Sequence, residues 1–587
     1  MAAPSNHDVA RVFDEMAELL AIRGGDPHRV RAFQRVAKVI ENLPQPVARA
    51  LRYGTLQRTP GIGEGAVHRV KQILRRGTCD DLERLRAQIP AGLREMTRLR
   101  GLGARTVRRL HQQLGIASID QLELAATSGL LLKRMPRMGA ERIHAILQEI
   151  AVHRARGGKI PLVEALEIAA PLLEHLRQAG AEQVAMGGSV RRRRAMIGDL
   201  DLLASAADPA PVIEAFLAAP GAESVISRRS DGGSIRLPNL RQVDLWVFPP
   251  ESWGAGLHAF TGNKEHNVNL RTRAGRLGIH LSEHGISERD GGRRISTGRS
   301  EEEIYAAVGL PFIPVELREN LGEIEAAEAG RLPDLVDAGD LRGDLHMHTT
   351  WSDGTAGARD MVLAARRLGL EYVAITDHSL SLTVANGLDA TRLREQRREL
   401  RRLQEEVAGI EILAGIEVDV LAGGALDLEA SDLRPLDWVV ASIHSDFDLD
   451  AEAMTSRLVR AMETGLVDCI GHPAGRKLGK REPYPLDLER LFTTARRLGV
   501  ALEVNGGPRR MDLDDAACRQ AREMGVTLVL NTDAHAPAHL HHHRRFALAM
   551  ARRGWVERRH VLNARPVEEV RAWRRDRLRR HGIAVPA

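Results

Sequence analysis

Cysteine is nearly absent. The three residues, Cys79, Cys469 and Cys518, are scattered and odd in number, which argues against a disulfide framework and for a reducing, cytoplasmic compartment. Aromatic residues make up only 3% of the chain, too few for an extended base-stacking surface for single strands. No run of about 18 uncharged apolar residues occurs, so no membrane span is expected. Residues 1–10 lack the basic start and apolar stretch of a signal peptide. Lysine is scarce beside arginine. GC-rich codon usage explains that better than function does, but it limits the candidates for amine chemistry.

What is present is ordinary globular composition, 43% hydrophobic and 28% charged, over 587 residues. That length is too great for one core, so several domains are expected. A net charge of +6 and a pI near 9.5 permit a nucleic-acid partner without requiring one. Residues 8–40 show helical spacing of Val9, Val12, Phe13, Met16, Leu19 and Leu20 until Pro44 and Pro46 interrupt it. Then comes Thr59-Pro60-Gly61-Ile62-Gly63-Glu64-Gly65 before an amphipathic run over 66–74. The pattern returns as Leu99-Arg100-Gly101-Leu102-Gly103 before 104–110, and more weakly as Met135-Pro136-Arg137-Met138-Gly139-Ala140. Residues 1–155 therefore read as all-helical with internal repetition. A Gly-hydrophobic-Gly turn lets the backbone bend tightly and leaves the next helix's amides free for phosphate. Gly61, Gly63, Gly65, Gly101 and Gly103 are thus candidates for holding a DNA backbone without reading its sequence.

After Pro161 a helix over 162–179 gives way to strand-like runs at 183–186, 199–204, 234–237 and 242–247, a mixed α/β segment reaching about residue 315. Residues 316–340 are acidic, helical and then loop-like, and read as a connection. From 343 onward, β-rich runs at 372–376, 411–414, 438–441, 466–470, 501–504 and 527–530 alternate with helices, the pattern of a parallel barrel or sheet. Polar motifs follow the carboxyl ends of those runs, where barrel enzymes place their chemistry.

Two sets of ligand-type residues stand out. Asp199 and Asp201 are two apart in a strand-like run, so their carboxylates face the same way, and Asp244 lies in a second run able to lie alongside. Three such acids suit a pair of Mg²⁺ ions serving an attacking 3′-hydroxyl and a triphosphate. Gly187-Gly188-Ser189 offers a turn, amides and a hydroxyl for phosphate oxygens, and residues 191–194 are all arginine. The second set is His346, His348, Asp353, His378, Glu417, His444, His472, Asp533 and His535. Imidazole with carboxylate suits Zn²⁺, Mn²⁺ or Fe²⁺ better than Ca²⁺. Nine such residues can fill a site of up to three metals, with Glu417 bridging, that activates water and draws charge from phosphoryl oxygens. His539 and His541 to His543 are poorly spaced for a site, and Asp419 reads as structural.

The spacing Gly-Gly-Ser-Val-Arg-Arg, six residues, Asp-Leu-Asp resembles the nucleotidyltransferase palm of family X DNA polymerases, and Phe260-Thr261-Gly262-Asn263 with Asn267 resembles that family's nucleotide-binding segment. The glycine turns resemble helix-hairpin-helix motifs. The resemblance implies that Asp199 and Asp201 bind both metals and that Asp244 binds the catalytic one and helps activate the primer. Ser189 and Arg192, with Gly188 and assisted by Lys159, would hold the β/γ-phosphates. Phe260 and Gly262 would border the sugar, Asn267 the minor-groove edge of the base, and Arg271 the template strand. Ala259 stands where some members have tyrosine, which leaves the discrimination against ribose open. Arg69 falls at the lysine that performs 5′-deoxyribose-phosphate lyase chemistry in some members. A guanidinium stays protonated and does not readily form a Schiff base. With Lys38 and Lys71 the only other lysines in that domain, weak or absent lyase activity is expected.

Asp344-Leu345-His346-Met347-His348-Thr349, Ile375-Thr376-Asp377-His378 and Asn531-Thr532-Asp533-Ala534-His535 resemble the PHP (polymerase and histidinol phosphatase) domain. That implies a distorted (β/α)7 barrel with phosphoesterase chemistry. His346, His348, Glu417 and Asp533 would share one metal, Asp353, His378 and His535 a second, and Glu417, His444 and His472 a third. Asp377 would orient His378, and Arg476 would contact phosphate.

The two resemblances together look like the bacterial and archaeal type of family X polymerase, a DNA-directed DNA polymerase joined to a 3′-5′ exodeoxyribonuclease. That type implies gap filling in base-excision repair with deoxynucleoside triphosphates on gapped or primer-template DNA, and metal-dependent end trimming that extends to abasic sites. The polymerase site would use Mg²⁺ or Mn²⁺. The expected architecture is a helical DNA-binding domain with one helix-hairpin-helix (1–80), a second such domain (81–155), an α/β palm (156–250), a nucleotide-binding subdomain (251–318), a linker (319–340) and the barrel (341–587), acting as a monomer. The alternatives are a PHP phosphatase for a small phosphorylated metabolite with an inactive DNA-binding half, disfavoured by the glycine turns, and a DNA-end scaffold, disfavoured by intact Asp199, Asp201 and Asp244.

Overall fold

The structure, a computed structural model, describes residues 6–41, 43, 47–97, 99, 102–135, 138–157, 159–237, 242–289 and 292–584. The chain divides into two compact units, 1–158 and 159–587. In the first, the apolar periodicity over 8–40 is carried by two helices, Asn6–Arg23 and Pro27–Glu41. Gly24, at φ +84, makes the break between them, a conformation that disfavours a side chain. The two glycine turns share one construction. Ile62 and Leu102 are buried, and the next residues, Gly63 and Gly103, cap Glu64–Arg76 and Ala104–Leu114, which end on left-handed Gly77 and Gly115. Gly101 lies outside the described residues, as do Pro136 and Arg137 of the third copy. One apolar core runs from Val9 to Ile150, spanning both sides of the expected boundary at residue 80.

In the second unit a five-stranded sheet has the spatial order Gln183–Met186, Leu200–Ser205, Gln242–Phe248, Gly232–Arg236, Ser224–Arg229. The last of these was not anticipated: Val225 and Ile226 are exposed on it, so it carries little of the apolar alternation that marks a strand. Beyond the sheet, Asn263 caps the helix Lys264–Arg276 by accepting from His266 N–H at 2.7 Å, and a small antiparallel sheet follows, Ile279–Ser282 with Gly285–Glu288 and Arg294–Ser296. The segment 319–340, expected as a linker, is packed. Ile324 and Ala327 of the helix Glu323–Glu328 share a core with Leu317 and with Trp555 near the carboxyl terminus.

The remainder is a sheet of seven parallel strands in sequence order: Gly343–Met347, Tyr372–Ile375, Glu411–Asp419, Trp438–Ser442, Cys469–Ile470, Ala501–Asn505 and Leu528–Asn531. A bridge between Met347 and Ala534, with His348 N–H donating to Ala534 O at 2.8 Å, brings the last strand back to the first. The barrel is thus nearly closed. Leu345, Ala374, Leu413, Val440, Cys469, Ala501 and Val529 form one cluster with a member from every strand, which packs the interior as side-chain layers do in parallel barrels. The second set of candidate ligands gathers at or beyond the carboxyl-terminal ends of these strands.

Candidate functional site

Leu200–Ser205 and Gln242–Phe248 pair in parallel with Asp201 directly across from Asp244, so the two carboxylates share one face. Asp199 lies one residue before its strand and is exposed. Gly187 N–H donates to Asp201 O at 2.8 Å and Gly188 N–H to Phe260 O at 2.6 Å, which lays the Gly-Gly-Ser turn against the acids. Gly188 has φ +50, and a Cβ there would stand 2.6 Å from Asp201 Oδ2; glycine is required on both counts. Ser234 Oγ and Gln242 Nε2 donate to Asp244 Oδ1. Burial, then the charges of Asp244 and Asp199, push the Asp201 carboxyl up to about 6. Carboxylates that repel one another on neighbouring strands fit a divalent cation.

Around this cluster the remaining predicted residues divide. Ser189 is half-buried on the turn, and Lys159 and Arg271 are exposed. Phe260 packs on Trp246 with ring centroids 4.6 Å apart, and Gly262 leaves room for Asn267, whose Oδ1 would lie 2.5 Å from a Cβ there. Asn267 was expected at a base edge. Its Nδ2 instead donates to Ala259 O at 2.8 Å and braces the 259–262 turn. Arg192 was expected on the triphosphate. It is buried, with Nε donating to Glu319 at 2.9 Å and Nη1 to Thr261 O at 2.7 Å. The physical reason is that consecutive arginines on one turn require acids: Arg191 pairs with Glu301 at 2.6 Å, while Arg192 and Arg194 share Glu319. Glu319 also binds the barrel residue Arg553 at 2.9 Å, and Arg553 donates to Arg192 O at 2.8 Å and pairs with Asp515 at 2.5 Å. Sequence spacing held no signal for this palm-to-barrel network.

In the first unit Gly61, Gly63, Gly65 and Gly103 are exposed. Among the described residues, a Cβ at Gly63 or Gly103 meets nothing within 4 Å, so both helix starts are open to a backbone phosphate. Arg69 donates to Asp81 Oδ2 at 2.7 Å and to Gly65 O at 2.7 Å, a clamp with no resemblance to a reactive amine.

At the barrel, Glu417 is 1% exposed and stands among five imidazoles: His346 Nε2 at 3.4 Å, His348 Nε2 at 3.6 Å, His378 Nδ1 at 2.7 Å, His444 Nε2 at 3.6 Å and His472 Nε2 at 3.0 Å. Asp353 Oδ1 lies 3.6 Å from His378 Nε2 and 3.4 Å from His535 Nε2. Asp533 Oδ1 lies 3.2 Å from His348 Nε2. Three groups have ligand atoms within 4.8 Å of one another: His348, Asp353, His378 and His535; His346, His348 and Asp533; His378, Glu417 and His444. The expected second set thus gains His348, Glu417 groups with His378 and His444, and His472 reaches the centre through Glu417.

These groups fit metal. Among the described residues, His346 Nε2, both nitrogens of His348 and His444 Nε2 are buried with no hydrogen-bond partner, a cost that coordination removes. Burial, then the charges of His535 and His378, bring His348 down to about 3, leaving the neutral imidazole that binds metal. His472 and Asp533 sit at φ +29 and +51, the left-handed region where strained backbone accompanies functional sites.

Four further residues differ from expectation. Asp377 accepts from Thr349 N at 2.8 Å, Ser352 N at 3.1 Å and Gln396 Nε2 at 2.6 Å, so it fixes the loop carrying Asp353 and does not orient His378. Asp419 is no mere structural acid: it accepts from His444 Nδ1 at 2.8 Å. Glu503, missed in the sequence, accepts from His346 Nδ1 at 2.7 Å and His472 N at 2.7 Å. Its signal was a charge inside the apolar run 501–504. Arg476 points away, donating to Arg510 O at 2.9 Å, and Arg510 is the cation at the site, 3.5 Å from Asp533 Oδ2. His539 and His543 are buttresses: His535 N–H donates to His539 Nδ1 at 3.3 Å, and His543 Nδ1 meets Thr532 O at 2.8 Å.

Comparison with known proteins agrees with this layout. Family models match for a helix-hairpin-helix domain over 4–79, a SAM-like helix-hairpin-helix tandem over 93–151, the DNA polymerase beta thumb over 256–319 and the PHP domain over 344–505. Two Thermoanaerobacter proteins, each named a probable phosphatase, are 31% identical over 207 residues, covering 33% of this chain and 78% of theirs. A Bacillus subtilis protein named DNA polymerase/3′-5′ exonuclease PolX is 36% identical over 569 residues, covering 96% of this chain and 98% of that protein. Because that likeness runs through both centres, whereas the phosphatases match a third of the chain, this chain belongs to the PolX family.

Proposed function

We propose that the chain fills short gaps in DNA at the palm and trims DNA 3′ ends, abasic sites included, at the barrel. The observation that carries the reading is that the palm acids and the barrel ligand cluster lie in one compact unit, residues 159–587. The name of the Bacillus subtilis relative supports it. Asp199, Asp201 and Asp244 would hold Mg²⁺ or Mn²⁺. Asp244, steadied by Ser234 and Gln242, takes the place beside a primer 3′-hydroxyl, where a carboxylate helps remove its proton. Gly188, Ser189 and Lys159 receive the β/γ-phosphates of a deoxynucleoside triphosphate. Arg192 joins them by exchanging Glu319 for phosphate, and Asn267 meets the base edge by exchanging the Ala259 carbonyl. Phe260 and Gly262 border the sugar, Arg271 meets the template strand, and the open helix starts at Gly63 and Gly103 hold DNA phosphates without reading bases.

At the barrel the nine ligands fit up to three of Mn²⁺, Zn²⁺ or Fe²⁺. Metal there polarises phosphoryl oxygen and lowers the pKa of attacking water. Glu503 and Asp419 fix the His346 and His444 rings, and Asp377 holds the loop that supplies Asp353. The test is a labelled one-nucleotide-gapped duplex with Mn²⁺, with and without nucleotides, alongside Asp199→Ala and His346→Ala. Extension lost with the first and 3′ shortening lost with the second are expected. No extension by the wild type would reduce the palm to a DNA holder. Barrel activity on small phosphate esters alone would favour the phosphatase reading.

A further inference from the structure

Beyond its ligands, the barrel centre has a cationic rim. The turn after His472 leads into a short hairpin in which Lys477 N–H donates to Arg481 O at 2.8 Å and Arg481 N–H to Lys477 O at 2.8 Å. Leu478 N–H donates to Arg509 O at 2.7 Å, fastening the hairpin to the loop that carries Arg510, and Arg509 pairs with Glu164 of the palm at 2.7 Å. Arg481 donates to Gly475 O at 2.9 Å and covers the Phe447 ring at 3.7 Å, so its charge is held in place. Lys477 and Lys480 are exposed, and neither ammonium group has a hydrogen bond or ion pair among the described residues. Burial, then the charges of Arg510 and Arg481, hold the Lys477 amine below its ordinary value. Four like charges are thus crowded on a fixed scaffold. Asp533, itself a candidate metal ligand, is the acid that Arg510 approaches, at 3.5 Å. Convergent cations of this kind concentrate an anion.

We propose that Lys477, Lys480, Arg481 and Arg510 form a strand-binding rail that takes the phosphodiester backbone of a single-stranded DNA 3′ end into the nuclease centre. Arg510, beside Asp533, meets the phosphate nearest the ligands, and the two lysines meet phosphates further along. The proposal rests on the nuclease reading of the barrel. A small monoester would engage Arg510 alone, whereas the lysines, three residues apart along the hairpin, suit a chain of phosphates. With few aromatics available, the grip is electrostatic rather than stacked.

The experiment measures 3′ shortening of a single-stranded oligonucleotide by the full chain with Mn²⁺ across a KCl series. It compares wild type, His346→Ala, the double variant Lys477→Ala/Lys480→Ala and the double variant Lys477→Arg/Lys480→Arg. The alanine pair is expected to raise KM about 10-fold with kcat little changed. Removing two charges should also flatten the plot of log KM against log salt by about 1.4, at about 0.7 per contact for single strands. The arginine pair should behave as wild type. Lys480→Ala alone, at an exposed position, should give half the change in slope and guards against a misfolded double variant. An unchanged KM and slope, or a rise in KM that arginine does not rescue, would overturn the rail. Shortening that survives His346→Ala would instead overturn the nuclease reading beneath it.

Discussion

At the palm, Asp201 and Asp244 stand on neighbouring strands with Asp199 exposed just before the first of them, while at the barrel eight side chains close round a Glu417 that is 1% exposed. Every group of side chains close enough to hold a metal, among the described residues, lies in the barrel. The palm acids remain further apart, and a repulsive Asp201 sits among them. Barrel rings are fixed from behind by Glu503 and Asp419; among the described residues the palm acids have only Ser234 and Gln242 on Asp244. The difference teaches where each centre obtains its organisation. The barrel is preassembled by the protein, as metal sites held by a second layer of partners are. The palm is less organised by the protein, and on the proposed reading the triphosphate oxygens of the nucleotide close it. One centre should therefore retain metal, and the other should exchange it with every nucleotide bound.

The strongest way to break this comparison is to remove one central acid from each centre. Glu417→Ala should abolish 3′ shortening, by about 1,000-fold or more, and leave extension near wild type. Asp201→Ala should do the reverse. Both effects are read on the same gapped duplex, and loss of both activities from either change would mean that the centres are not independent. Next in size is chelation. After dialysis against a chelator and return to metal-free buffer, the wild type should keep barrel metal, and prolonged chelation should lower its melting temperature, because metal bound to the folded state stabilises it by mass action. Glu417→Ala should show neither. Metal content by elemental analysis beside a melting curve checks this, and equal loss from both proteins would erase the contrast.

A third step probes the partners behind the ligands. Glu503→Gln and Asp419→Asn keep shape but weaken the bond to each imidazole, and such partners are typically worth 10- to 100-fold in metal affinity or activity. Shortening should fall within that range while extension is unaltered. An effect equal to ligand removal would promote either acid to a ligand.

The legibility of the two centres in the sequence follows the same divide. The ligands themselves were readable because strand period and strand ends bring them together: Asp201 lies across from Asp244, and the barrel histidines follow successive strands. What was not readable depends on side chains meeting across long separations. Arg192 is claimed by Glu319 and Arg553, residues 127 and 361 positions away in the chain, and no local spacing encodes that. Arg476 and Arg510 exchanged roles because the loop over 505–512 folds back on the 472–481 turn. Asp377 turned toward Thr349 and Ser352 rather than its neighbour His378. In the first unit the glycine turns were legible from residue type alone, since φ at Gly61 is +93, but the shared core that joins both turns was not.

The smallest expected effect on activity sharpens the palm side of the comparison. Glu301 joins Arg191 of the Gly-Gly-Ser turn to Arg318, with side-chain exposures of 6% and 0% for Glu301 and Arg318. Burial alone would raise its carboxyl, but the hydrogen bond from Arg191 and the charge of Arg318 outweigh it and bring the value down to about 2. A carboxyl depressed in the folded state stabilises that state fully above its unfolded value of about 4.3, and the contribution is lost as pH falls toward 2. The size is on the order of 3 kcal/mol. Glu301→Gln should therefore lower the melting temperature at pH 7, and the gap from wild type should shrink between pH 4.5 and 2.5. Extension at neutral pH should fall only a few-fold, because Glu301 touches neither the carboxylates nor the proposed phosphate site, and 3′ shortening should be unchanged. A pH-independent gap would mean that packing, rather than the charge of Glu301, ties the phosphate turn to the segment that carries Arg318.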